Sequence, residues 1–187
     1  MSEEKKRKKT SEETTVKLVV AAVFAALSCV ATMVIQIPTP TGGYVHMGDC
    51  IVLLCGLLLG PIYGGLAAGI GSAMADFLTG YMHYVPGTFV IKALVAIVAY
   101  LVYYGLEKAL GKLWLVRVVI AGVLAEIVMV VGYFFYKWVL LGSGLAAGID
   151  TILGNVGQGA FGVVVAAVLF TAFYKNSYLR RLTEMYR

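Results

Sequence analysis

Charge is what this sequence has little of. Only 13% of its 187 residues are charged and 60% are hydrophobic, whereas soluble domains carry about 25% charged residues. Mean hydropathy is +0.88. A soluble domain is excluded, and an integral membrane protein with little room for a separate soluble part remains. The net charge of +5 does not point to nucleic acid. The basic residues cluster in short segments between apolar runs, a pattern that sets membrane orientation. Cysteine is scarce: Cys29, Cys50 and Cys55 are odd in number and form no CxxC pair. They read as small apolar fillers, not as a disulfide or metal set. His46 and His83 show no metal-ligand spacing.

Catalytic motifs are missing too. No G-x-x-x-x-G-K-[ST] occurs, and the nearest approach, Gly105 to Lys112, has the wrong spacing and Leu after the Lys. HExxH and GxSxG are absent. The chain therefore reads as no enzyme, needs no cofactor, and cannot drive transport by hydrolysing nucleotide. Nor does it show the inverted repeat of broken helices found in many secondary transporters.

What is present is a series of apolar runs. Residues 1–15, with Lys5–Lys9 as KKRKK, read as a disordered basic cytoplasmic tail. Residues 16–174 read as a membrane domain of six helices. The first run, about Val16 to Ile37, is too long for a signal-peptide core and lacks a small-residue exit, so it reads as a retained span. A turn-rich loop, Pro38 to Val45, leads to a short run, Met47 to Leu59, ended by Gly60-Pro61. Ile62 to Tyr81 is rich in small residues, which let helices approach closely in lipid. Then come Thr88–Leu106, Leu113–Leu141, the glycine-rich 142–148 and Thr151–Tyr174. Residues 175–187 form a polar, basic tail.

The second and third runs read either as one kinked span or as two. Lysine and arginine lie in the N-terminal segment, in Glu107–Arg117 and in the C-terminal tail, and are absent from 38–46, 82–87 and 142–149. The positive-inside rule then predicts six helices with both termini cytoplasmic.

This topology gathers the intramembrane polar residues toward the outer side. Asp49, Asp76, Lys92, Glu126, Lys137, Asp150, Asn155 and Gln158 come from five helices. Placing a charge at the bilayer centre costs about 2.5–3.5 kcal/mol on insertion scales, so several such residues imply pairing or function. Glu126, Tyr133 and Lys137 share a helix face by spacing, as do Asn155 and Gln158. An outward-facing polar pocket with its floor near Glu126 is expected. Plainer readings stand beside it. Asp49 and Asp150 could cap helices, Asp76 and Lys92 could pair structurally, and Asn155 and Gln158 could bond between helices. Tyr44, Tyr81, Tyr84, Tyr133, Tyr136 and Trp138 could line the pocket or form an interfacial belt.

Four pieces of sequence resemble a known family. They are Ala21-x-x-x-Ala25 with Ala22-x-x-x-Ala26, the stretch Ile37–Asp49 (IPTPTGGYVHMGD) with Leu57–Tyr81, Ala125–Tyr136 (AEIVMVVGYFFY), and Gly154–Gly159 (GNVGQG). In this order over nearly the whole chain they resemble the substrate-binding S components of energy-coupling factor (ECF) vitamin transporters, in the riboflavin-type branch. The resemblance implies a high-affinity binding subunit in the plasma membrane. Its implied partners are the lipid bilayer, a transmembrane coupling subunit (EcfT-type) and two cytoplasmic ATPases. It implies docking through Ala21, Ala22, Ala25 and Ala26. It implies substrate contacts from Tyr44, His46, Asp49, Asp76, His83, Lys92, Glu126, Tyr133, Asn155 and Gln158, and flexible loops at 38–45 and 82–87 as a lid. The loop Gly80–Pro86 (GYMHYVP) and the Glu126 segment look more like the vitamin B6 or hydroxymethylpyrimidine type. An acidic balance in the outer half fits a small neutral or basic heterocycle. A metal-uptake S component is not expected, since its N-terminal histidine ligand has no counterpart in Met-Ser-Glu. The alternative reading is an autonomous proton-coupled carrier or channel that uses Glu126 and Asp76.

Overall fold

The computed structural model describes residues 3–39, 44–177, 180 and 184–186, with side chains from residue 11 onward. Five of its helical segments are long and apolar enough to cross a membrane. α1 runs Glu3–Val34. The basic stretch Lys5–Lys9, expected as a disordered tail, is helical. Glu, Lys and Arg are good helix formers, and extending an existing helix needs no new nucleus. One face of α1, with Phe24, Ser28 and Thr32, is buried, while Leu18, Val19, Val23, Leu27 and Val30 point outward.

The expected loop after α1 contains a short antiparallel pair, β1 (Gln36–Pro38) and β2 (Tyr44–His46), with Gln36 opposite His46 and Pro38 opposite Tyr44. The turn of that loop, 40–43, lies outside the described residues.

The second and third apolar runs form one element, α2 (Asp49–Leu78), broken at Gly60, where φ is 74° and ψ −179°. That φ suits glycine alone among common residues. A straight helix of 30 residues would be about 45 Å long. Instead, Asp49 at its start and Asp76 near its end both meet the β2 region, Asp76 through Tyr44 and Asp49 through Gln158. Gly64 lies directly against the Cys55 carbonyl oxygen, with no room for a Cβ. The two arms therefore fold back on each other at Gly60-Pro61.

The first arm is buried nearly all round, with Val52, Leu53, Leu54, Cys55, Leu57, Leu58 and Leu59 in the core. Its unbroken apolar sequence allows no other place. Small residues set the close approaches: Gly56 faces the Ala96 carbonyl, and Gly71 faces that of Ala25. The remaining elements are α3 (Val85–Gly105), the one-turn α4 (Glu107–Leu110), α5 (Trp114–Phe135) and α6 (Leu145–Lys175). A single π turn, Tyr136–Leu140, extends α5. α6 starts six residues before the expected Thr151, so Asp150 lies inside the helix and Gly144 holds the N-cap position. Its turn-like GSGLAAG start contributes Leu-Ala-Ala, which helices accept readily.

At the opposite end from the β pair, Arg117 donates to the Tyr103 and Gly111 carbonyls and stacks over the Tyr103 ring. Tyr186 returns to pack on Tyr63 and donates to the Lys17 carbonyl.

Candidate functional site

A polar pocket lies between the β pair, the second arm of α2, α3, α5, the π turn and α6. Its lining is Thr39, Tyr44, Val45, His46, Asp76, Tyr84, Thr88, Tyr133, Lys137, Asp150, Thr151, Gly154, Asn155 and Gln158. β2 covers it. Tyr44 and His46 are two apart on a strand and so share a face, and their rings lie 5.5 Å apart. The Tyr44 hydroxyl donates to Asp76 at 2.6 Å. The His46 backbone N–H donates to Gln158 Oε1 at 2.7 Å. These two bonds pin the strand to α2 and α6.

Beneath His46 runs a buried network. Gln158 Nε2 donates to Asp49 at 2.6 Å. The other Asp49 oxygen receives the ammonium of Lys92, an ion pair fully withdrawn from solvent. Lys92 also meets Met129 Sδ at 3.0 Å and lies 5.5 Å from the Tyr133 ring centre. Tyr133 donates to Thr88 at 3.0 Å. The expected Asp76–Lys92 pair is thus replaced by Asp49–Lys92, because the fold-back of α2 brings Asp49 to α3 at that depth. Asp49 does not cap the helix, since both its oxygens are taken from the side.

His46 Nδ1 accepts from the Gly48 N–H at 3.0 Å, so its neutral form carries the proton on Nε2. Burial, with the Lys92 charge next, pulls its pKa down to about 3. Burial, reinforced by Asp76, pushes the Tyr44 hydroxyl well above the usual phenol range and that of Tyr84 to about 12. These three groups therefore face the pocket uncharged.

The sequence-predicted residues separate into three groups. Tyr44, His46, Asp76, Tyr133, Asn155 and Gln158 line the pocket. Asp49 and Lys92 sit behind it and hold Gln158. His83 and Glu126 are elsewhere: the His83 ring packs on Tyr84 and its carbonyl accepts from Tyr136 at 2.7 Å, while Glu126 lies beyond Asn155, between α5 and α6. Tyr84, expected as a pocket or belt aromatic, and Lys137 and Asp150, expected among the outer polar residues, are lining residues as well. Thr39, Val45, Thr88, Thr151 and Gly154 were missed, since small residues carry no signal until the fold brings them together. Among the docking alanines, Ala22 and Ala26 are exposed, whereas Ala21 and Ala25 turn toward α2.

Chemically, the pocket offers ring faces from three tyrosines, donors from Lys137, Asn155 and Thr88, and acceptors from Asp76 and Asp150. Its free volume is about 50 Å³, room for a few water molecules. Among the described residues no group of His, Cys, Asp and Glu is placed to hold a metal ion.

Comparisons with known proteins agree with this architecture. The family model for the ECF-type riboflavin transporter, S component, matches residues 12–175. A Pyrococcus woesei protein named only as an uncharacterized protein in gap 3'region is 34% identical over 141 residues, covering 75% of this chain and 89% of that protein. A solved structure, described as the structure and mechanism of the S component of a bacterial ECF transporter, superposes with a TM-score of 0.64 at 21% identity. It covers 87% of this chain and 99% of its own. At that identity the likeness speaks for the fold.

Proposed function

We propose that this chain, which belongs to the family of ECF-type riboflavin transporter S components, captures a vitamin B6-type or hydroxymethylpyrimidine-type heterocycle from outside and passes it inward. As a family member it is a multi-pass cell-membrane protein, a substrate-binding subunit of an ECF vitamin transporter and not an enzyme. ECF S components associate with a coupling subunit and ATPase modules. For this chain, a transmembrane coupling subunit and two cytoplasmic ATPases supply the driving force. The exposed Ala22 and Ala26 of α1 offer a close-packing face for the coupling subunit.

The observation that carries the substrate reading is the charge of the pocket wall. Asp49 and Lys92 neutralise each other behind it, which leaves Asp76 and Asp150 against Lys137. A small neutral or basic ring with hydroxyl groups suits this balance better than a polyanion. Tyr44, Asp76, Tyr84, Thr88, Tyr133, Lys137, Asn155 and Gln158 are the contacts of this reading, and the β pair is the lid. Six crossings with both termini cytoplasmic complete it, supported by the fold-back at Gly60 and by the lysine and arginine distribution.

The test is thermal unfolding of the detergent-purified chain against pyridoxine, hydroxymethylpyrimidine, riboflavin and other water-soluble vitamins. A ligand that binds only the folded state stabilises it by about 4 kcal/mol at a thousandfold excess over Kd. A large shift for pyridoxine or hydroxymethylpyrimidine supports the reading. A shift for riboflavin alone moves the substrate to flavins. Uptake into liposomes by the chain alone would replace the S-component mechanism with the carrier alternative.

A further inference from the structure

Glu126 takes no part in the outer pocket. Its side chain is buried, and neither carboxyl oxygen has a hydrogen-bond partner among the described residues. A buried polar group without a partner is costly, the more so if charged, so its presence calls for a reason. Glu126 is in the lining of a groove between α5 and α6 with a volume of about 360 Å³, its carboxyl oxygens themselves buried. One wall is Val123, Ile127 and Val130, at helical spacing on α5. The other is Val156, Ala160 and Val163, at the same spacing on α6. Val123, Ile127 and Val156 are about half exposed, at 47%, 51% and 50%, so the groove opens on the lipid-facing side. Gly159 makes the space, because a Cβ there would lie 2.9 Å from that of Glu126. Asn155 is the shared wall between this groove and the outer pocket.

An apolar trough open to hydrocarbon, lined by a buried carboxyl whose two oxygens have no partner among the described residues, is complementary to an amphiphile. Water would satisfy the carboxyl but not the walls, and an alkane would do the reverse. We propose that the α5–α6 groove is a second ligand site, entered from the membrane, that binds a small alcohol. The hydroxyl donates to Glu126, and the apolar body lies along Val123, Ile127 and Val156. The carboxylic acid and the carboxylate both accept such a bond, so the site works in either protonation state.

The test uses the full chain in lipid nanodiscs, with 1-decanol as the probe, decane as its control and dicyclohexylcarbodiimide as the reporter. A carboxyl adds across the N=C=N group, its proton going to nitrogen and its oxygen to carbon. Acyl migration to nitrogen then fixes the whole carbodiimide on the side chain, which peptide mass spectrometry locates. The expected result is modification at Glu126, slowed severalfold by decanol and not by decane, and abolished in Glu126→Gln. Val156→Trp, on the lipid-exposed wall, fills the groove and slows labelling with the unfolding midpoint unchanged. The proposal is overturned if Glu126 in folded protein is not modified, or if decanol does not protect it. Equal modification by a water-soluble carbodiimide, which would place Glu126 on the aqueous side, overturns it as well.

Discussion

Asp49 and Lys92, 43 positions apart in the chain, form a solvent-excluded ion pair that ties the start of α2 to the first half of α3. Gln158 adds α6 to the same point, and through His46 so does the strand that covers the pocket. Removing one partner of a buried pair leaves an uncompensated charge and costs about 3–5 kcal/mol. Lys92→Met and Asp49→Asn should each lower the unfolding midpoint sharply. The double variant should recover much of the loss. A double variant no better than either single one would show that the pair is not a closed unit.

Ligand affinity should depend on the residues that face the pocket. Asn155→Ala and Tyr84→Ala, read by titration with whichever vitamin stabilises the protein, should weaken binding by about tenfold or more, since each 1.4 kcal/mol is tenfold. His83→Ala should have far less effect, because that side chain packs outside the lining. Equal losses for all three would point to a general distortion.

Gly60 should tolerate no side chain. Its positive φ is strained for any residue with a Cβ, and a Cβ there would lie 2.7 Å from the Tyr186 carbonyl oxygen. Gly60→Ala should cost about 1–3 kcal/mol. Deleting the tail from residue 184 should recover the part due to contact with Tyr186 and none of the part due to φ. Thermal unfolding of the two variants and their combination separates the contributions.

Stability should fall in acid through His46. Its folded pKa of about 3 lies below the ordinary histidine value of 6.5, so between these values the unfolded chain binds the extra proton. The stabilisation is complete above about pH 6.5 and is lost as pH falls toward 3, at about 1.4 kcal/mol per pH unit. Unfolding midpoints from pH 7 to pH 4 should drop more steeply for the wild type than for His46→Gln. Parallel curves would remove His46 as the source.

The two alanine faces of α1 should respond differently. Ala26→Leu places bulk on an exposed face and should leave stability unchanged while impairing co-purification with a coupling subunit. Ala25→Leu points toward α2, where the Ala25 carbonyl already meets Gly71. Overpacking there should cost about 1–3 kcal/mol. Calorimetry and pull-down together separate the two.

Much of this protein was legible in its residues. Long apolar runs with few charges leave no fold but membrane helices, because each unsatisfied backbone group costs several kcal/mol in lipid. The placement of lysine and arginine carried the orientation reading. Charged and amide side chains inside apolar sequence drew attention to Asp76, Asn155 and Gln158, and helix spacing to Tyr133; these four do converge on one pocket. Aromatics and ionisable groups stand out in such a sequence, whereas Thr39, Thr88 and Thr151 do not, being neutral and small.

The sequence by itself determined the class, the helices and the set of polar residues from which a site could be built, since those follow from local hydropathy and periodicity. Only the tertiary structure decided which of those residues meet. Pairing depends on how far α2 folds back at Gly60 and on the rotation of each helix about its axis. An error of one residue in that rotation is about 100°. That rotation gave Lys92 to Asp49 instead of Asp76, and turned Glu126 from the pocket floor toward the groove between α5 and α6.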